Sequence, residues 1–299
     1  MNQFSIRDIE HLCGIKAHTL RMWEQRYGLV TPDRKSGNHR IYYNEELKDL
    51  LRIAFLYHNG YRVSQLARMT REQLGQAVHA TPITPCNYQG FIAQLLEACI
   101  DFDQERFEGL IHCMILRVGI DKSITGLFYP FLQRIGMLWL TNHVIPAQEH
   151  FSSFLIQKKI ILALDGLDPA LPGPYRVLIF GPRGEYHEIP LLVAQYFFRK
   201  HRVPSTYFGV NTDQAALDDY LAHHPVSHLY LHVITKAGAD RLNGQIRDLC
   251  QRYPDKQVLI SGPAVSCLRT RPVNLHYLQT TDELVAFAGR LAAGEATGA

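Results

Sequence analysis

The sequence is poor in patterned cysteine. Its six cysteines, Cys13, Cys86, Cys99, Cys113, Cys250 and Cys267, include no C-x-x-C pair. Neither a zinc knuckle nor a disulfide framework is indicated, and they read as buried or idle thiols in a reducing compartment. Long apolar runs are missing too, so nothing reads as a membrane span, and the N-terminus lacks the basic-then-apolar order of a secretory signal. An intracellular, cytoplasmic protein is expected. There is no evident nucleophile–base pair and no evident catalytic pair of carboxylates, which argues against an enzyme.

What is present is ordinary globular material: 299 residues, 46% hydrophobic and 20% charged, enough for two or three domains. The net charge of +3 becomes informative when split by position. Residues 1 to 78 carry 12 Lys/Arg against 8 Asp/Glu, and the remainder 19 against 20. The positive excess therefore sits at the N-terminus, as a polyanionic partner would require.

Ser5 is a good N-cap ahead of Ile6, Ile9 and Leu12, and Gly14 ends that helix. A second short helix follows from Ala17 to Arg26 with only a tight turn between, which is helix-turn-helix spacing with the second helix placed for a major groove. Pro32, Gly37 and Asn38 break it, and residues 31 to 43 read as a β-hairpin wing. Asn44 is expected to cap a third helix through Leu47, Leu50, Leu51 and Phe55 to Gly60, and a fourth runs from Ser64 to about Val78.

The run Arg21-Met22-Trp23-Glu24-Gln25-Arg26-Tyr27-Gly28-Leu29, the His39-Arg40-Ile41-Tyr42 wing and the helix after it resemble the DNA-binding domain of the MerR-type regulators over residues 4 to 78. The resemblance implies that the second helix reads base edges while the wing holds phosphates, with His18, Thr19, Arg21, Arg26, Arg40 and Tyr42 as the contact residues. The bland alternative is that Arg21 and Arg26 solvate a helix face and Tyr42 is core.

Four segments follow: a DNA-binding module at 1–78, a linker at 79–88, a helical bundle at 89–172 and a sheet domain at 173–299. The linker holds two prolines and no helical period, so the first module is expected to swing relative to the rest. From Phe91 to about Leu164 the pattern is helical, with breaks near 101–104, 119–123 and 141–145, which suggests four helices. After Leu171-Pro172-Gly173-Pro174, strands at Arg176–Phe180, Ser205–Phe208, His228–Ile234 and Gln257–Ser261 alternate with helices at Ile189–Lys200, Ala215–Leu221, Gly238–Arg252 and Thr281–Ala292. That is a doubly wound parallel sheet, which binds ligands beyond the carboxyl ends of its strands. The fold class is thus α and α/β multidomain: winged helix-turn-helix, four-helix bundle and Rossmann-like sheet.

The loop from Gly181 to Glu188 lies at that edge and carries His187 flanked by Glu185 and Glu188. An imidazole beside a carboxylate can bind a metal through one ring nitrogen while the acid orients the other. A lone loop histidine is more often simply solvated. The loop resembles the D/E-x-H-x-x-G element of cobalamin-binding domains of the methionine-synthase type, and Gly136-Met137-Leu138-Trp139 with Ala147-Gln148-Glu149-His150 resembles the G-x-x-W and E-H signature of their helical cap. Together with the N-terminal module, the chain resembles the light-responsive, adenosylcobalamin-dependent MerR-type repressors of carotenoid genes.

That resemblance implies His187 as the cobalt ligand, supported by Glu185, with Trp139, Glu149 and His150 serving the other face of the corrin and Ser261 and Gly262 near its nucleotide tail. The cofactor implied is adenosylcobalamin. The partners implied are an operator in double-stranded DNA and further copies of the chain in a dimer or tetramer. Departures from the pattern are Pro190 in place of the loop glycine, Leu231-His232-Val233-Ile234-Thr235 in place of a Ser-x-Leu/Thr element, and Ser261-Gly262 in place of Gly-Gly. Leu140 stands after Trp139 where light-responsive members can carry a second histidine, and His143 is a distant substitute. Two other classes remain open: a cobalamin-independent regulator whose C-terminal half serves oligomerisation or binds an antirepressor protein, and a corrinoid carrier enzyme, which would have no use for a winged helix.

Overall fold

A computed structural model describes residues 3–35, 39–81, 88–140, 145–235, 239–269 and 271–295. The chain forms two compact units, Met1–Ile156 and Gln157–Ala299. Among the described residues no helix is long and apolar enough to cross a membrane.

The first unit opens with α1 (Ile6–Cys13) and α2 (Ala17–Tyr27). Ser5 and Asp8 form a reciprocal cap at the start of α1, and Gly14 ends it in the left-handed region at φ 71. Lys16 gives α2 no side-chain cap, and Glu10 of α1 takes that role by accepting from Ala17 N at 3.1 Å. Leu20 and Trp23 turn inward, with Trp23 edge-on to Tyr57 at 5.0 Å. The wing is β1 (Asp33–Lys35) antiparallel to β2 (His39–Ile41).

Helix α3 (Asn44–His58) is capped by Tyr43 and Glu46, one residue earlier than the expected Asn44. The expected fourth helix is two: α4 (Val63–Leu66) and α5 (Arg71–Ala80), the latter capped afresh by Thr70 and Gln73. A competing local cap has divided one apolar stripe.

Helices α6 (Tyr88–Ile100), α7 (Gln104–Ser123), α8 (Tyr129–Leu140) and α9 (Pro146–Asp165) follow, with the unit boundary falling inside α9. The break expected near 119–123 is compressed to a turn at Gly119, φ 81, and one π-helical turn at Ile124–Phe128 carries the chain into α8. Phe107 anchors the core by edge-on contacts with Phe131 and Phe151 at 5.5 and 5.8 Å.

The central residues of the expected linker, 82–87, lie outside the described part; on either side of them α3 packs along α6 and an alternating charge ladder joins the elements. Arg71 of α5 meets Asp49 of α3 at 2.7 Å, and Asp49 lies 3.8 Å from Arg52. Arg52 donates twice to Glu97 Oε1 of α6 at 2.9 and 2.6 Å, and Arg106 of α7 donates to Glu97 Oε2 at 3.0 Å. Lys48 pairs with Asp101 at 2.5 Å, and Arg134 of α8 donates to Leu12 O at 2.8 Å.

The second unit is a five-stranded parallel sheet in the order β4-β3-β5-β6-β7, with β3 (Val177–Pro182), β4 (Ser205–Thr212), β5 (His228–His232), β6 (Gln257–Ser261) and β7 (Leu275–Leu278). The edge strand β7 is an addition to the four read from the sequence. Helices α11 (Gln214–His223) and α12 (Ala239–Arg252) close one face over Leu178, Leu231 and Ile260. On the other, α10 (Ile189–Lys200) packs beside α13 (Thr281–Ala292), and Phe198 meets Tyr230 edge-on at 5.9 Å. The central strands β3, β5 and β6 are buried almost without interruption, the expected signature of a parallel sheet covered on both sides.

At the amino end of β5, His228 is buried with Nε2 lacking a hydrogen-bond partner, while Nδ1 shares a hydrogen bond with Ser227 Oγ at 2.8 Å. Tyr175 and Phe287 flank the ring, and His276 lies near it. Burial first, then His276, pushes its pKa down to about 4. An unfolded histidine titrates near 6.5, so the folded ring resists protonation and its contribution to stability is complete above that value. As pH falls from about 6.5 towards 4 the unfolded chain binds the proton first, and up to about 3 kcal/mol is lost from the second unit. Urea midpoints at pH 7 and pH 4.5 test this: a large drop in the wild type, reduced in His228→Gln, is expected, and equal drops in both proteins would remove His228 as the cause.

Candidate functional site

Helix α2 presents His18, Arg21, Met22, Gln25 and Arg26 outward, opposite Leu20 and Trp23, with Thr19 half-buried between the faces. Helical periodicity thus puts the polar contact candidates on one exposed face and the tryptophan of the same motif in the core. Arg40 of β2 is half-buried and donates through Nε to Glu24 Oε2 of α2 at 2.6 Å.

Tyr42 departs from the phosphate-holding role implied for it. Its side chain is only 3% exposed, and its backbone exchanges hydrogen bonds with Phe4 at 2.8 and 3.0 Å, which ties the wing to the segment before α1. Burial first pushes its hydroxyl up to about 12. Tyr42 is core, as the bland alternative had it, and supports the wing from behind.

In the second unit the chain leaves β3 to form β4 on one side and returns to form β5 on the other, so the loops after β3 and β5 diverge at the switch point where open α/β sheets bind ligands. The loop after β3 turns back through Glu185 N to Pro182 O at 2.9 Å. It is held from β4 by Asn211, which accepts from Gly184 N at 2.9 Å, and by Tyr207, which donates to Glu188 Oε1 at 2.9 Å.

Glu185 stands at the centre of this arrangement and is 2% exposed. Its Oε2 accepts from Ile234 N and Thr235 N, beyond β5, at 2.8 and 3.0 Å. Its Oε1 accepts from Tyr186 N and His187 N at 3.2 and 3.3 Å and is in hydrogen-bond contact with His187 Nδ1. Burial raises the carboxyl, and the His187 ring with the Thr235 and Ile234 donors more than reverses that, leaving it at about 2. A permanent carboxylate at Nδ1 favours the tautomer with its lone pair on Nε2, and the ring is half-exposed. The donor set suits an imidazole-coordinated transition metal.

Pro190 is not in the loop at all. Glu188 precedes α10 at the N-cap position without a side-chain cap, and Pro190 falls in the first helical turn, where its missing N–H would have had no intrahelical acceptor. At the carboxyl ends of β5 and β6, Ser261 Oγ is engaged by Tyr230 OH at 2.7 Å and His232 Nδ1 at 2.8 Å. Gly262 follows at φ 101, and a Cβ there would stand 2.4 Å from Val233 O, so the backbones approach closely only because the residue is glycine. In the first unit, Glu149 and His150 lie in the opening turns of α9. Glu149 accepts from Ser153 Oγ at 2.7 Å and sits 3.2 Å from His150 Nδ1. Trp139 falls near the end of α8, with its side chain outside the described part, as is His143.

Sequence reasoning missed Glu24, Glu97 and Glu10. Each acts on an element other than its own, from seven residues away for Glu10 to 45 for Glu97. His232 and Tyr230 are a similar case; the sequence placed the strand but not the hydrogen bonds at its end.

Comparison with known proteins agrees with this architecture. The profile of MerR HTH family regulatory proteins matches residues 4–73, and that of the B12-binding domain matches residues 91–163. The HTH-type transcriptional repressor CarA of Myxococcus xanthus is 28% identical over 214 residues, covering 71% of this chain and 70% of CarA. The repressor CarH of the same organism is 24% identical over 216 residues, covering 69% and 70%. Among solved structures, the monomethylamine corrinoid protein of Methanosarcina barkeri superposes with a TM-score of 0.54 over 68% of this chain and 98% of its own, at 11% identity, which is a likeness of fold. Residues 4–73 thus belong to the MerR HTH family and residues 91–163 are a B12-binding domain, in a chain homologous to the CarA and CarH repressors.

Proposed function

We propose that this protein is a transcriptional repressor that binds operator DNA through α2 and the wing, and that a cobalamin held at the Glu185–His187 pair sets its affinity for that DNA. The observation that carries the reading is the buried Glu185 carboxylate, shared between the two diverging loops and His187 Nδ1. His187 is the proposed cobalt ligand through Nε2. Glu185 orients the ring and raises its basicity. Adenosylcobalamin, the form proposed, would supply a cobalt that can take an imidazole donor and a cobalt–carbon bond that light can break. Two half-sites on DNA call for two recognition helices, so a symmetric dimer or tetramer is part of the proposal. The ligand acts only so far as it binds one assembly state better than another.

The test is direct. Full-length protein incubated with adenosylcobalamin in the dark should keep a corrin absorption spectrum through desalting, and illumination should change both spectrum and DNA affinity. On DNA, Arg21→Ala should weaken binding to a duplex enriched by the wild type from a random-sequence pool by about 1–3 kcal/mol, if the side chain reads a base edge. Fluorescence anisotropy measures it, and an unchanged isotherm would return Arg21 to the solvated face.

One observation favours a second reading. The Tyr230–Ser261–His232 chain occupies the ends of β5 and β6, where the resemblance puts the nucleotide tail. A regulator that has given up cobalamin and uses its sheet domain for oligomerisation or for a protein antirepressor would emerge colourless from the desalting column, with DNA binding indifferent to the cofactor.

A further inference from the structure

Two guanidinium groups confront each other across the wing. In the β1–β2 register Arg34 is directly opposite Arg40, and like charges in that relation destabilise a strand pair. The acid between them comes from neither strand. Glu24 of α2 accepts from Arg40 Nε at 2.6 Å through Oε2 and lies 3.5 Å from Arg34 Nη2 through Oε1. Its side chain is only 13% exposed, and its contact with Arg40 raises that guanidinium's pKa. One carboxylate therefore joins the helix to both strands of the wing.

An acid here runs against simple electrostatics. Glu24 lies at the edge of the α2 face that carries Arg21 and Arg26, the one proposed to meet a polyanion, and a negative charge near phosphates opposes binding. We infer that Glu24 is a positioning residue for DNA recognition. It fixes the separation and angle of the wing relative to α2, so that Arg34 and Arg40 meet the phosphate backbone while His18, Thr19 and Arg21 reach base edges. A planar guanidinium suits the task, since Nε can face the carboxylate while the terminal nitrogens serve a phosphate. The inference rests on the DNA-binding reading above and adds the residue that sets its geometry.

The two roles an acid can have here predict opposite signs. A plain surface acid repels DNA, so Glu24→Gln would tighten binding to every duplex. A positioning residue makes the same substitution costly, but only where geometry counts. The full-length wild type is first used to enrich a duplex from a random-sequence pool, and binding to that duplex and to a scrambled version is then followed by fluorescence anisotropy at fixed salt. E24Q should lose about tenfold on the enriched duplex, the size of one displaced contact, and bind the scrambled duplex as well as the wild type or better. In an Arg40→Gln background E24Q should cause a smaller loss, since only the contact with Arg34 is left to remove, and Glu24→Asp should recover part of the affinity in the Arg40 protein.

E24Q binding the enriched duplex as tightly as wild type, or more tightly, overturns the assignment. So does an equal loss on both duplexes accompanied by a lowered melting midpoint, which would make Glu24 a fold residue only. A wild type that enriches no duplex sinks the DNA-binding reading itself and the assignment with it, and is distinguishable because it appears before any variant is made.

Discussion

His187→Ala should abolish retention of adenosylcobalamin through desalting, or leave a bound corrinoid whose absorption spectrum differs from that of the wild type. The side chain is the metal donor proposed at the switch point, and Glu185 fixes its Nδ1. Glu185→Gln should act in the same direction through the ligand. It keeps an acceptor but removes the charge, and loss of a supporting carboxylate typically weakens metal binding by about 10–100-fold. The order His187→Ala worse than Glu185→Gln worse than wild type, read by titration in the dark, is the expected result. Three matching spectra and affinities would take the pair out of the cofactor site and leave Glu185 as a structural clasp between the loops after β3 and β5.

Glu97→Ala should be the most damaging single change in the first unit. The carboxylate is almost fully buried and takes three hydrogen bonds from two arginines on different helices. Removing it takes away the carboxylate shared by Arg52 and Arg106 and leaves Arg52 only the longer contact with Asp49 at 3.8 Å. Breaking one side of a buried ion pair costs about 3–5 kcal/mol, and the melting midpoint of a unit of this size should fall by roughly 2–4 °C per kcal/mol. Because the ladder ties α3 of the DNA-binding module to α6 of the B12-binding domain, DNA affinity should fall alongside stability. A melting curve that does not move would mean the ladder is a solvated surface feature, against its burial.

Much of the fold was legible because its signals are local. Ser5 and Gly14 bracket α1 as read, the basic-aromatic motif marks α2, and the bounds read for α10 and α13 agree with the structure. The strand β7 was missed because Leu275–Leu278 is short and partly exposed at a sheet edge, with His276 and Tyr277 interrupting the apolar run. Other misses came from contacts between elements distant in sequence. Tyr42 could be read as phosphate contact or core, and at 3% exposure it lies with the core. Pro190 read as an awkward residue because the resemblance set it against a loop glycine, although it falls inside the helix read at Ile189–Lys200, in the first turn of α10. Of the candidate site, the Glu185–His187 spacing was visible, while the second half of Glu185's role depends on backbone 49 and 50 residues further on.

A regulator that both reads DNA and senses a corrinoid is tested most directly by a measurement that joins the two. Anisotropy of the enriched duplex should be recorded in the dark with and without adenosylcobalamin, for wild type and for His187→Ala. The account predicts that the cofactor changes the duplex affinity of the wild type, that light reverses the change, and that His187→Ala binds DNA but is indifferent to both. A wild type whose DNA affinity is the same with and without the cofactor would contradict it.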